Sequence, residues 1–69
     1  MTEITITVNG REQHIALGTS LAGLLDQLEL DARTVVVEHN RNIVRRPALD
    51  DTALDTGDSV ELVHFVGGG

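Results

Sequence analysis

From Thr2 to Val8 polar and apolar positions alternate strictly, with Ile4, Ile6 and Val8 on one face and Glu3, Thr5 and Thr7 on the other. A period of two in β-branched residues predicts a half-buried strand. Asn9-Gly10 follows, a pair suited to a two-residue type I′ turn because both central positions need positive φ. Arg11 to Leu17 then returns as a second strand with Gln13, Ile15 and Leu17 in register, and Ile15 and Leu17 are expected in the core. Beyond Gly18 the period changes. Leu21, Leu24, Leu25 and Leu28 recur at helical spacing, with Asp26 and Gln27 off the stripe and Thr19 or Ser20 placed to cap the first turn. This helix should end between Leu28 and Leu30. Glu29 stands there where glycine ordinarily takes the left-handed conformation, a substitution costing on the order of 1–2 kcal/mol.

Thr34 to His39 holds Val35, Val36 and Val37, a run read as a strand with one valine, Val36, facing outward. Asn40-Arg41-Asn42 is expected to turn the chain into a short strand, Ile43-Val44-Arg45, closed by Pro47, which cannot donate to a ladder. Residues 48–58 read as a polar connection with at most one helical turn, tucked in by Leu49 and Leu54. Asp55-Thr56-Gly57-Asp58 is a tight turn into a last strand, Ser59 to Val66. If that strand lies beside the first, the two are parallel and all other pairs antiparallel. The predicted fold is α+β: a mixed four- to five-stranded sheet with one helix packed on one face, the β-grasp or ubiquitin-like arrangement. Residues 1–66 form its single domain.

Composition narrows the function. The 69 residues include 41% apolar positions, enough for one small core that buries roughly 60% of the unfolded surface. No cysteine is present, which excludes disulfides, zinc–cysteine sites and a thiol nucleophile. Five basic residues, all arginine, face eleven acids for a net charge of −6, which argues against nucleic acid and anionic lipid and favours partners with basic docking surfaces. Phe65 is the sole aromatic residue, so no platform exists for stacking bases. The longest apolar runs fall far short of the roughly 18 residues of a spanning helix, and no signal design opens the chain. A cytoplasmic location, away from membranes, is expected.

The chain closes on Gly67-Gly68-Gly69, residues that add nothing to a core and lose the most backbone entropy when ordered. They are expected to form a flexible tail on the last strand. A terminus without Cβ atoms suits acyl activation. It can thread a narrow channel to the α-phosphate of ATP, and it leaves the carbonyl open to the next nucleophile.

His64-Phe65-Val66-Gly67-Gly68-Gly69 resembles the end of the sulfur-carrier proteins of thiamine biosynthesis, members of the ubiquitin-like superfamily. Ile6-Thr7-Val8-Asn9-Gly10, Leu24-Leu25-Asp26-Gln27-Leu28, Ile43-Val44-Arg45-Arg46 and the stretch from Gly57 to Val63 extend the resemblance over essentially the whole chain. Glu29, in place of a helix-ending glycine, is the departure. The resemblance implies a carrier rather than an enzyme. A ubiquitin-activating-like adenylyltransferase would use ATP and magnesium to adenylate the Gly69 carboxylate, with Gly67 and Gly68 threading the channel. A persulfide donor, cysteine desulfurase or rhodanese-type, would convert it to a thiocarboxylate, and thiazole synthase would accept the sulfur. The carrier itself would bind no cofactor. The chain contains no lysine, so an activated end meets no ε-amine in a neighbouring copy.

Val60 and Leu62 are expected to face the helix, leaving Glu61, Val63 and Phe65 on the open side of the sheet. With Val36 they form a candidate docking patch near the tail. His14, His39 and His64 match no metal-ligand spacing, and no metal is assigned. Asp50-Asp51 reads as an acidic turn. Two alternatives stay open: a small subunit delivering sulfur to a molybdopterin precursor, and a ubiquitin-like modifier or interaction module.

Overall fold

In the computed structural model, which describes residues 2–65, the predicted hairpin forms first. Strands β1 (Glu3–Val8) and β2 (Arg11–Ala16) pair antiparallel with Val8 opposite Arg11, so Asn9 and Gly10 alone make the turn. Their φ angles, 51° and 80°, are those of a type I′ connection. Ile4, Ile6, Val8 and Ile15 are buried. Leu17 corrects the expectation: it is 58% exposed. Strand geometry stops at Ala16, Leu17 donates its N–H to the Thr2 carbonyl at 3.0 Å, and Gly18 turns the chain away with a φ of 93°. The alternation therefore ends one residue before it would carry Leu17 inward.

Helix α1 (Leu21–Gln27) is capped by Ser20, whose hydroxyl accepts from the Gly23 N–H at 3.0 Å. Thr19 instead donates its hydroxyl back to the Ala16 carbonyl at 2.7 Å, bracing the strand-to-helix corner. Leu21, Leu24 and Leu25 are buried against the sheet, and Leu28 packs at the margin of the core. The helix closes in a Schellman motif: Glu29 donates to the Asp26 carbonyl at 3.0 Å and Leu30 to that of Leu25 at 2.9 Å. Glu29 holds the left-handed position at a φ of 58°, as anticipated. Glu29→Gly is therefore expected to stabilise the protein by about 1 kcal/mol, read as a higher urea midpoint at unchanged slope.

A 3₁₀ turn (Ala32–Thr34), which the sequence pattern did not resolve, leads into β3 (Val35–His39). Asn40 and Arg41, at φ 50° and 73°, form a second two-residue turn, and Asn42 already belongs to β4 (Asn42–Val44). Arg45 and Pro47 differ from expectation. Arg45 is the N-cap of a four-residue helix, α2 (Arg46–Leu49), and Pro47 sits in its first turn, where the missing N–H costs nothing. The proline opens a helix rather than merely closing a strand. Leu49 and Leu54 are buried as predicted.

Strand β5 (Ser59–His64) enters the middle of the sheet, giving the order β2-β1-β5-β3-β4 with only β1 and β5 parallel. The parallel ladder covers just Thr7↔Ser59 and Val8↔Val60. Asn9 extends it. Its backbone N–H reaches the Val60 carbonyl at 2.9 Å, and its side-chain amide accepts from the Leu62 N–H at 2.7 Å and donates to the Leu62 carbonyl at 3.2 Å. One asparagine thus turns the hairpin and acts as a further rung to the central strand.

Candidate functional site

The alternation of β5 sends Val60 and Leu62 into the core and leaves Glu61 and Val63 exposed; the strand stops at His64, short of the expected Val66, which lies outside the described residues, and Phe65 just past its end is exposed as well. The antiparallel register with β3 sets Val36 opposite Val63 and Glu38 opposite Glu61. Val36 is half-buried on the outward side, between the buried Val35 and Val37. Val36, Glu61 and Val63 therefore share one face, with Phe65 just beyond the end of β5, and Gly67, Gly68 and Gly69 lie outside the described residues. Directly opposed glutamates cost a few tenths of a kcal/mol to about 1 kcal/mol, a repulsion that the fold itself does not require.

Ile43 belongs to this face and was missed. It pairs across from Glu38 and is 65% exposed. The signal was present in the short strand, where polar Asn42 and core-facing Val44 leave Ile43 on the other side. Phe65 is fixed by its backbone N–H, which donates to the Thr34 carbonyl at 2.9 Å. Beside it runs a groove of about 430 Å³ bordered by the 3₁₀ turn, β3, β4 and the start of α2.

The opposite end of β5 carries the principal polar cluster, which sequence reasoning had dispersed into a surface histidine and an acidic turn. His39 Nε2 lies 2.7 Å from Asp58 Oδ2, with side chains only 19% and 15% exposed. The same oxygen accepts the Asp55 N–H at 2.9 Å, and Asn40 Nδ2 donates to Oδ1 at 3.2 Å. Asn40 in turn accepts the Ser59 N–H at 2.9 Å. Burial pushes the Asp58 carboxyl up, but hydrogen bonds from His39, the Asp55 backbone and Asn40 outweigh it and hold the group below its ordinary range. An ionised carboxylate only accepts, so Nε2 of His39 carries the proton it donates.

This cluster ties the β3–β4 turn to the entrance of β5. The β3–β5 register could have revealed it, since His39 lies opposite Val60, two residues beyond Asp58. Because the folded pKa of Asp58 is depressed, its contribution is complete above the unfolded value near 4 and is lost as pH falls through the lower folded value. Thermal midpoints of wild type and Asp58→Asn should therefore differ at pH 7 and converge on acidification below about pH 4.

On the surface, Asp31 is drawn down to about 2, chiefly by the side-chain hydrogen bonds from Arg33. No group of three or more histidine or acidic residues is arranged to hold a metal among the described residues. No helix is long and apolar enough to cross a membrane, again among the described residues.

A family model described as the ThiS family matches residues 4–69. The chain belongs to the ThiS family. Among relatives, the sulfur carrier protein ThiS of Bacillus subtilis is 32% identical over 65 residues, covering 93% of this chain and 98% of that one. The thiazole synthase of Paramagnetospirillum magneticum is 36% identical over 64 residues, which take in 93% of this chain. This chain spans 20% of the length of that synthase and likewise of the Magnetococcus marinus thiazole synthase. The crystal structure of a thiamine biosynthesis protein (ThiS) from Geobacter metallireducens superposes with a TM-score of 0.83 at 36% identity, covering 96% of this chain and 100% of that one. The ThiS fold is thus the β-grasp read from the pattern, with five strands in the expected order and the α1 leucines packed on the sheet.

Proposed function

We propose that this chain is a sulfur carrier of thiamine biosynthesis, and that its Gly69 carboxylate is the group that cycles. The observation that carries the reading is the ThiS-family match running from residue 4 to residue 69, with nearly the full length of the Bacillus carrier covered. A carboxylate is a poor electrophile. An adenylyltransferase partner, using ATP and magnesium, joins a Gly69 oxygen to the α-phosphorus and releases pyrophosphate. The terminal sulfur of a donor persulfide attacks the acyl carbon, AMP departs, and a thiol cleaves the resulting disulfide to leave the thiocarboxylate. The carrier is regenerated after each delivery and acts as co-substrate rather than catalyst.

Likeness to a fifth of two thiazole synthases supports thiazole synthase as the acceptor. The open face of Val36, Glu61, Val63 and Phe65 is proposed as the surface that partners grip. The test is an intact mass after incubation with ATP, the adenylyltransferase and a persulfide source. Replacement of one oxygen by sulfur supports the carrier. Adducts on lysines of other proteins would assign a modifier instead, and an unchanged mass beside a competent enzyme would reject both.

A further inference from the structure

The hairpin turn joins a chemically labile sequence to a restraint supplied from across the sheet. In a chain free to move, the backbone nitrogen of a glycine can attack the side-chain carboxamide of the asparagine before it, because no Cβ shields that nitrogen and φ is unrestricted. Asn9-Gly10 is the one such pair in the sequence, since Asn40 and Asn42 are followed by arginine and isoleucine. Both turn residues are exposed, so burial does not protect them. The rung to β5 does. Oδ1 of Asn9 accepts from the Leu62 N–H at 2.7 Å and Nδ2 donates to the Leu62 carbonyl at 3.2 Å, which occupies both polar atoms of the carboxamide and holds it against β5. The bond from the Asn9 N–H to the Val60 carbonyl fixes the backbone beside it. A Cβ on Gly10 would meet nothing within 4 Å, so glycine stands there for its φ of 80° rather than for close packing. The restraint is only as durable as the seam that it spans. The parallel β1–β5 ladder comprises two residue pairs, against six between β1 and β2, and parallel pairing is the weaker kind per residue.

We propose that Asn9-Gly10 is a deamidation site closed by the fold and opened whenever β1 and β5 part. The Gly10 nitrogen then bonds to Cγ of Asn9, the Cγ–Nδ2 bond breaks, and ammonia leaves with the proton that Gly10 gives up. One water opens the resulting succinimide at either carbonyl, leaving aspartate or its isoaspartyl isomer in place of Asn9. Neither product can rebuild the rung. An ionised carboxylate only accepts, so the Leu62 carbonyl loses its donor and faces a carboxylate oxygen instead. The isomer routes the main chain through the side-chain carbon and lengthens a turn that holds two residues. A transient opening of the seam is thereby converted into a permanent mark on the molecule. The inference stands on the turn and its rung, and is independent of the carrier reading.

Mass spectrometry of the full chain tests it, at mildly alkaline pH, in buffer and in guanidinium chloride above the unfolding midpoint, with peptide mapping to place each exchange of amide for hydroxyl. Conversion at Asn9 is expected to run at least about tenfold faster in denaturant than in buffer, because the folded chain reacts only through its open fraction. Asn40 and Asn42 should stay unconverted over the same period. Gly10→Ala should slow the reaction in denaturant, where the strain of alanine in the folded turn has no influence. Asn9→Asp, which makes one product directly, should melt at least about 5 °C below wild type, and failure to fold at all meets the same expectation. Equal rates in buffer and denaturant overturn the proposal by removing the protection. So does a reaction in denaturant that is absent, that Gly10→Ala leaves undiminished, or that Asn40 and Asn42 undergo as fast. An Asn9→Asp midpoint equal to that of wild type overturns it too, because the mark would then leave the seam intact.

Discussion

Deleting Gly69, or adding one residue after it, is expected to abolish ATP-dependent thiocarboxylate formation while moving the thermal midpoint by no more than about 2–4 °C, the shift that ~0.5 kcal/mol gives a domain of this size. The two halves of this result have separate causes. In the proposed cycle, activation needs a carboxylate delivered to the α-phosphate through a space that excludes side chains. Truncation withdraws the carboxylate by one residue, and extension places it one residue too far while adding a Cβ for any residue but glycine. Stability, by contrast, resides in a core whose buried apolar residues run from Ile4 to Leu62. Intact mass and a thermal melt on the same samples check both halves. A truncated chain that still acquires sulfur would remove Gly69 from the chemistry.

The largest effect on stability away from the hydrophobic core is expected at Asn9. Asn9→Ala removes both side-chain bonds to Leu62, worth about 1 kcal/mol each, and forces a Cβ-bearing residue without local compensation into a φ of 51°, adding about 1 kcal/mol. The sum is about 3 kcal/mol against a total of roughly 3–10 kcal/mol for a chain of this length. Asn9→Gly separates the contributions. It keeps the turn and loses only the rung, so about 2 kcal/mol should disappear. Urea unfolding of the three proteins reads the series, and equal losses in both variants would mean that the turn conformation contributes nothing.

Most of the frame was legible because it follows from local rules. Strict alternation located β1, helical spacing located α1, and Asn9-Gly10 announced its turn. Val36 could be assigned to the outer face because three consecutive valines in a strand cannot all point inward. What was misread depended on where an element stops. Leu17 satisfied the alternation, yet Gly18 redirected the backbone too early for it to reach the interior. Pro47 was equally compatible with ending a strand or starting a helix, and only the packing of Leu49 decides between them. The His39–Asp58–Asn40 cluster was illegible for a different reason: its members are 18 or 19 positions apart and meet only through the β3–β5 register. Ile43, too, became visible as part of the open face only once its cross-strand partner was known.

The strand order has a consequence for how the molecule comes into being. β5 occupies the centre of the sheet but is the last strand among the described residues, so a growing polypeptide that has not yet emerged past His64 holds two separate ribbons, β2–β1 and β3–β4, with no strand ladder between them. Such fragments expose apolar faces and cannot settle, because the contacts that unite them are the most distant in sequence. Folding of this sheet therefore waits until β5 has been synthesised, and a prematurely terminated copy lacking β5 would be left for proteolysis instead of competing with intact molecules.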